Sequence, residues 1–320
     1  MFLAVLLLAS MGDVKLTPEQ RGAIALEQRA VDQRKELVRG KVDLRSIYWA
    51  SQTPGGPQIK ANCNLTLFFD GTKARVDKEF VSLRDAREVS TRIVTCNTKT
   101  DSIRFRIDSE QDPSTMQGSI QDRMSLMEWK TLPPIANGEA LLIDARVLGL
   151  LPSATAMTVN SPIDKFVGAT KYLDIQVENA TLHKIACKKI TKTYENKVTS
   201  IVWIAPSQGD GVLRVEVQHG AANVAFVTSV ESTLKYDKVA KLWFPSYYEI
   251  RSTLDGVLME LEKVTVKSSR LNQKLDPTRF TLLDMNIPVG TGFMVNKKNQ
   301  PKTVNTYVWN GIELVPKPSR

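Results

Sequence analysis

The chain has 320 residues, 42% of them hydrophobic and 24% charged, the proportions of a folded globular protein and not of a disordered one. Its formal net charge of +9 lies mostly beyond residue 160 and is spread out, unlike the clustered basic and aromatic surface of a nucleic-acid binder. Large β units run to roughly 200–250 residues, so one domain over residues 13–320, with an insertion, is the expected organisation.

Residues 2–9 are an unbroken apolar run. The run is far short of the roughly 20 residues that a membrane-spanning helix needs, but it suits the core of a signal peptide, with Ser10 and Gly12 as the small residues before cleavage. A signal peptide over 1–12 implies an exported, periplasmic protein that is soluble after cleavage, because no cysteine stands there to carry an acyl anchor. A buried first strand is the alternative.

Thr17-Pro18-Glu19-Gln20 places an N-cap threonine before a helix-starting proline and a glutamine three residues after the cap. Ile24, Val31 and Val38, with Ala23, Ala30 and Leu37 beside them, then recur at helical spacing. One amphipathic helix over 18–39 is predicted. From Lys41 the period becomes two, with Val42, Leu44, Ser46 and Tyr48 on one face.

Asp70-Gly71, Asp210-Gly211, Asp255-Gly256 and Asn310-Gly311 are dipeptides that supply the positive φ angles of tight hairpins. The first would join strands 65–69 and 73–81, and the second strands 200–205 and 212–218. Further strands are predicted at 91–96, 103–107, 172–178, 224–230, 241–250, 257–266 and 303–308. In the sixth of these, Val257, Met259 and Leu261 oppose Leu258, Glu260 and Glu262, as in a sheet with one covered and one wet face. Between 109 and 170 the pattern weakens into an insertion or lid with short helices: Ile120, Met124 and Met127 share a helical face near Trp129, and Ser161-Pro162 opens a second helix. The fold class is therefore mainly β (α+β).

Cys63, Cys96 and Cys187 lack metal-ligand spacing, and His183 and His219 are the two histidines. No metal site is expected. A Cys63–Cys96 disulfide is open to an exported protein, but buried free thiols are the preferred reading. The nucleophile elbow, the Walker A loop, the dinucleotide fingerprint and the zinc-binding helix motif are all missing from the sequence. Neither enzyme activity nor a cofactor is expected. Lys184, Lys188, Lys189 and Lys192 form a dense basic patch that could meet an anionic membrane or an acidic protein partner. A solvated edge strand, protected from aggregation by its lysines, is the other reading.

The order of one helix and then a long antiparallel run resembles the LolA/LolB-like lipoprotein-carrier superfamily. Residues 69–77 look like its early hairpin, 144–150 like its middle segment, 242–245 like its late strand, and 272–280 with 287–291 like its closing element. The resemblance implies a large curved antiparallel sheet or incomplete barrel wrapped around the N-terminal helix. It implies a lipid or acylated protein as partner, held noncovalently in an apolar hollow, with no nucleic acid involved. Trp203, Leu213, Val215 and Phe226 are the candidate wall residues. A protein-interaction or sensor domain with a filled interior is the alternative function.

Overall fold

The computed structural model describes residues 16–51, 58–84, 87–108, 112, 116–122, 145–150, 172–194, 198–221, 224–296 and 305–317. The expected signal peptide and most of the expected insertion, including Met124, Met127, Trp129 and the second helix start, lie outside the described residues.

Helix α1 (Pro18–Lys35) begins with the predicted capping box. The Gln20 amide donates to Thr17 Oγ1 at 3.2 Å, and the Thr17 amide donates to Gln20 Oε1 at 2.9 Å. The helix ends before the predicted residue 39 because Leu37 turns into the core, where it is fully buried, and the Val38 amide leaves for Asn272 Oδ1 at 3.1 Å.

The strands that follow are β1 (Arg39–Ser51), β2 (Gln58–Asp70), β3 (Lys73–Arg84), β4 (Arg87–Asn97), β5 (Asp101–Asp108) and β6 (Gln117–Asp122). A second run comprises β7 (Tyr172–Leu182), β8 (Ile185–Tyr194), β9 (Val198–Ala205), β10 (Gly211–Ala221), β11 (Val224–Asp237), β12 (Leu242–Leu254) and β13 (Val257–Leu271). Three short strands close the chain, β14 (Gly292–Asn296), β15 (Asn305–Trp309) and β16 (Leu314–Pro316). All sixteen form one curved sheet that does not close, in the order β16-β15-β14-β6-β5-β4-β3-β2-β1-β13-β12-β11-β10-β9-β8-β7. The β1–β13 pairing, with Ser46 opposite Val264, fuses two meanders into a single half-barrel.

Asp70-Gly71 joins β2 to β3 as predicted, with Asp70 opposite Lys73 and Gly71 at φ 59°, and the last two dipeptides also sit at hairpin connections, the final one in a longer loop. Asp255 and Gly256 have φ of 49° and 80°, as a two-residue hairpin between twisted strands requires, and Asn310 Oδ1 caps the amides of Ile312 and Glu313. Asp210-Gly211 departs from the prediction. There the connection is a 3-10 turn, Pro206–Gln208, followed by Gly209 and Asp210 at φ of 62° and 56°. The β sheet also reaches into the stretch read as an insertion, for Ile120 belongs to β6 and not to a helix. β6 pairs in parallel with β14, and Gly118 lies so close to Phe293 that a Cβ would fall 2.4 Å from the ring. Its small polar residues carry no period-two signal, which hides the strand from sequence.

The two faces of the sheet are covered differently. On the inner face, α1 and residues 145–150 pack against the second meander and the start of the first. On the outer face of β2–β6, the 3-10 turns Pro277–Phe280 and Leu282–Met285, with β14 and β15, cover Phe68, Val94, Ile103 and Phe105. Arg75 clamps this closing element. Its guanidinium donates to both carboxylate oxygens of Asp77 at 2.6 Å, to Asp284 Oδ2 at 2.8 Å and to the Arg279 carbonyl at 2.7 Å.

Cys63, Cys96 and Cys187 are free and buried. Cys63 belongs to the inner cluster and Cys96 to the outer one, so β3 and the thickness of the sheet separate the pair that sequence had left open. Burial pushes the Cys96 thiol up to about 12, which suppresses thiolate chemistry there.

Candidate binding site beneath the helix

The inner face of the second meander is built from cross-strand rows. Ile190, Val202, Val215, Val230 and Ile250 stand opposite one another on β8 to β12, and all are buried. The neighbouring row is Lys192, Ser200, Val217, Thr228, Ser252 and Glu260. An apolar floor thus runs beside a polar strip, an arrangement suited to a molecule with both a greasy and a polar part.

Helix α1 lies across this floor and buries Ala23, Leu26, Glu27, Ala30, Val31 and Arg34. Burying Leu26 and Val31 contributes about 1.5–3 kcal/mol each. Polar ties set its position: Gln20 Nε2 donates to the Ile175 carbonyl at 2.8 Å, Lys192 Nζ to Glu27 Oε2 at 2.8 Å, and Arg29 Nε to Asp210 Oδ2 at 2.7 Å. Residues 145–150 pack against the inner face from another side. Leu148 and Leu150 are fully buried, and Ser232 Oγ donates to the Gly149 carbonyl at 3.0 Å. Only glycine fits there, since its φ is 71° and a Cβ would sit 2.5 Å from Ser232 Oγ and 3.0 Å from Pro245 Cγ.

Two buried charges on the inner side of α1 are incompletely matched. Glu27 spends Oε2 on Lys192, while Oε1 has no hydrogen-bond partner among the described residues. Arg34 is 5% exposed. Its Nη2 reaches the Leu148 carbonyl at 3.5 Å, its Cζ lies 4.9 Å from the Phe244 ring centroid, and Nη1 has no partner among the described residues. Desolvation pushes its pKa down to about 9, so the group stays a cation at neutral pH.

A second polar group lies where the apolar row meets β13 and β1. Ser46 donates to Glu262 Oε1. Burial holds the Glu262 carboxyl above its ordinary range, and nearby Glu260 adds to that, while the Ser46 bond and Lys78 oppose it. Tyr48 bonds Glu260, and burial with the two glutamates raises its phenol well above the ordinary value. The sheet therefore turns Glu260 and Glu262 inward, reversing the wet face that their alternation with Val257, Met259 and Leu261 suggests. Val264 and Ser46 share their side of the sheet, and burial of Val264 fixes the phase of residues 260–266, which lie between two register shifts.

The four candidate wall residues do not share one surface. Val215 belongs to the apolar floor. Phe226 shares the parity of Val230 on β11 but stands near the strand end, 38% exposed, with its ring 6.4 Å from that of His219. Trp203 lies on the outer face, between Arg214 Cζ at 5.0 Å and Lys189 Nζ at 5.9 Å, because its neighbours Val202 and Ile204 take the inner positions. Leu213 falls at the register shift between Val212 and Arg214 and packs with Cys187, Ala205 and Leu234 in a separate cluster.

The four lysines are divided as well. Lys184 is exposed at the β7–β8 turn with φ 65°, and Lys188 is half-buried. Lys189 pairs with Glu178 on the outer face at 2.5 Å. Lys192 is buried beneath the helix, so a single contact surface of all four is corrected by the alternation of β8. A polar cleft of about 390 Å³ lies on the outer face, lined by His183, Arg214, Ser229, Glu231, Tyr247 and Glu249 among others. His183 Nε2 meets Glu231 Oε1 there at 2.6 Å, an ordered partner that sequence did not supply. Among the described residues no group of three or more His, Cys, Asp and Glu could hold a metal ion.

No protein-family model matches the chain, and no curated protein matches it. Solved structures do. An outer membrane lipoprotein-sorting protein domain from Vibrio parahaemolyticus is similar at TM-score 0.44 and 11% identity, over 81% of this chain and 95% of that one. A DUF1329 family protein from Desulfovibrio piger has TM-score 0.44 and 10% identity, over 82% and 97%. A LolA superfamily protein from Nitrosomonas europaea has TM-score 0.38 and 10% identity, over 80% and 96%. At such identity no residue is carried across.

Sequence reasoning missed Glu27, Arg34, Glu260 and Glu262 as inner-face groups. Glu27 and Arg34 lie seven apart in α1, on the same side as Ala23, Ala30 and Val31. That shared helical phase was the available signal.

Proposed function

We propose that the protein is an exported, noncatalytic carrier that holds a lipid or lipoprotein acyl group between α1 and the inner face of the sheet. The observation that carries this reading is the adjacency of the apolar row Ile190, Val202, Val215, Val230 and Ile250 to a polar strip, both under one helix. Each methylene buried there contributes about 0.8 kcal/mol, so an acyl chain gains useful affinity without any reacting group, even after the costs of association. Val215 supplies floor and Phe226 supplies rim. The apolar run at 2–9 supports export, and no helix among the described residues is long and apolar enough to cross a membrane.

Native mass spectrometry of protein recovered from a bacterial periplasm tests the proposal. Co-purifying lipid, or uptake of a fatty acid or diacyl peptide, is the expected result. A bare protein that takes up neither would end it. The second reading, a protein-interaction domain with a filled interior, is favoured by Leu148 and Leu150, which already occupy part of the space over the inner face.

A further inference from the structure

Among the described residues, Arg34 is the buried charge to which the fold offers least. Glu27, about 10 Å away along α1, has a counter-charge in Lys192 on one of its oxygens, whereas among the described residues Arg34 meets one carbonyl at the limit of hydrogen bonding and the face of Phe244. An unpaired guanidinium in an apolar setting is costly, and a Met of similar length would fill the same space at no electrostatic cost. Its planar fork is suited to receiving a carboxylate or phosphate through two parallel bonds.

We infer that Arg34 is the receptor for an oxyanion, a carboxylate or phosphate, borne by the amphiphile whose acyl chain lies on the apolar floor. The inference rests on the carrier reading and narrows its ligand to acidic amphiphiles. A small free anion would give up its hydration to reach Arg34 and gain little else. An acyl-tailed one offsets that loss through its buried methylenes.

Isothermal titration of the full chain and of Arg34→Met separates the possibilities, with oleate, methyl oleate and inorganic phosphate as probes. Wild type is expected to prefer oleate over methyl oleate by about 30-fold, the scale of a charge-assisted pair. Arg34→Met should abolish that preference while leaving methyl oleate within about 3-fold. The variant should also melt higher than wild type without ligand, because it removes an uncompensated charge. Equal wild-type affinity for oleate and methyl oleate overturns the inference and leaves the carrier intact. A lower melting temperature in Arg34→Met also overturns it, by making the guanidinium structural. If neither amphiphile binds, the carrier reading fails and takes the headgroup with it. Arg34-dependent binding of phosphate in that case keeps the oxyanion site and assigns it to a free anion.

Discussion

Lys192 Nζ lies 2.8 Å from Glu27 Oε2 with both side chains 2% exposed, and this one contact fastens α1 to β8 across 165 residues of sequence. A buried pair of this kind adds little net stability against an apolar replacement, yet breaking it strands a charge. Lys192→Met should therefore cost about 3–5 kcal/mol. Adding Glu27→Leu to it should recover most of that loss. Urea denaturation of the two single variants and the double variant measures the coupling, and additive losses would show that the pair does not act as a unit.

Residues 145–150 are held by the buried side chains of Ala145, Leu148 and Leu150 and by the close approach of Gly149 to Ser232. Gly149→Ala combines a strained positive φ with a Cβ driven into Ser232 and Pro245, and it should cost roughly 1–3 kcal/mol. The affected region should be local. Proteolysis ought to cut the middle of the chain faster in the variant while amide exchange in β2 to β5 stays at the wild-type rate.

Acyl uptake should distinguish the inner rim from the outer face. Phe226→Ala removes a ring, 38% exposed, near the end of β11; on the carrier reading it should weaken fatty-acid binding about 5- to 30-fold, the equivalent of about 1–2 kcal/mol. Trp203→Ala, on the opposite side of the sheet between Lys189 and Arg214, should leave binding unchanged. A fluorescence displacement assay reads both variants, and the reverse ranking would place the ligand outside the sheet.

Glu262 gives stability a defined pH dependence. Its folded-state pKa is raised above 4.5, first by desolvation, so the folded protein holds that proton more tightly than the unfolded chain does. The associated stability is fully present below about 4.5 and is lost as pH rises through the folded value. Glu262→Gln lacks this loss. Wild type and variant should differ least near pH 4 and diverge in favour of the variant toward neutrality, as followed by chemical denaturation across pH 4–8. Parallel curves would show that Glu262 is not held protonated by burial.

Local chemistry was legible in the sequence. The Thr17 and Gln20 capping box, the hairpin at Asp255-Gly256 and the period-two runs of β1, β11 and β12 depend on contacts within a few residues, and the chain states them directly. Tertiary structure decided which side of each strand faces inward. Alternation divides a strand into two faces without saying which is covered, and a register shift such as that between Val212 and Arg214 changes the phase midway. Trp203 and Glu262 therefore exchange sides relative to a simple reading of polarity. The same holds for Lys192 and Arg34, whose burial depends on a helix and a middle segment far away in sequence.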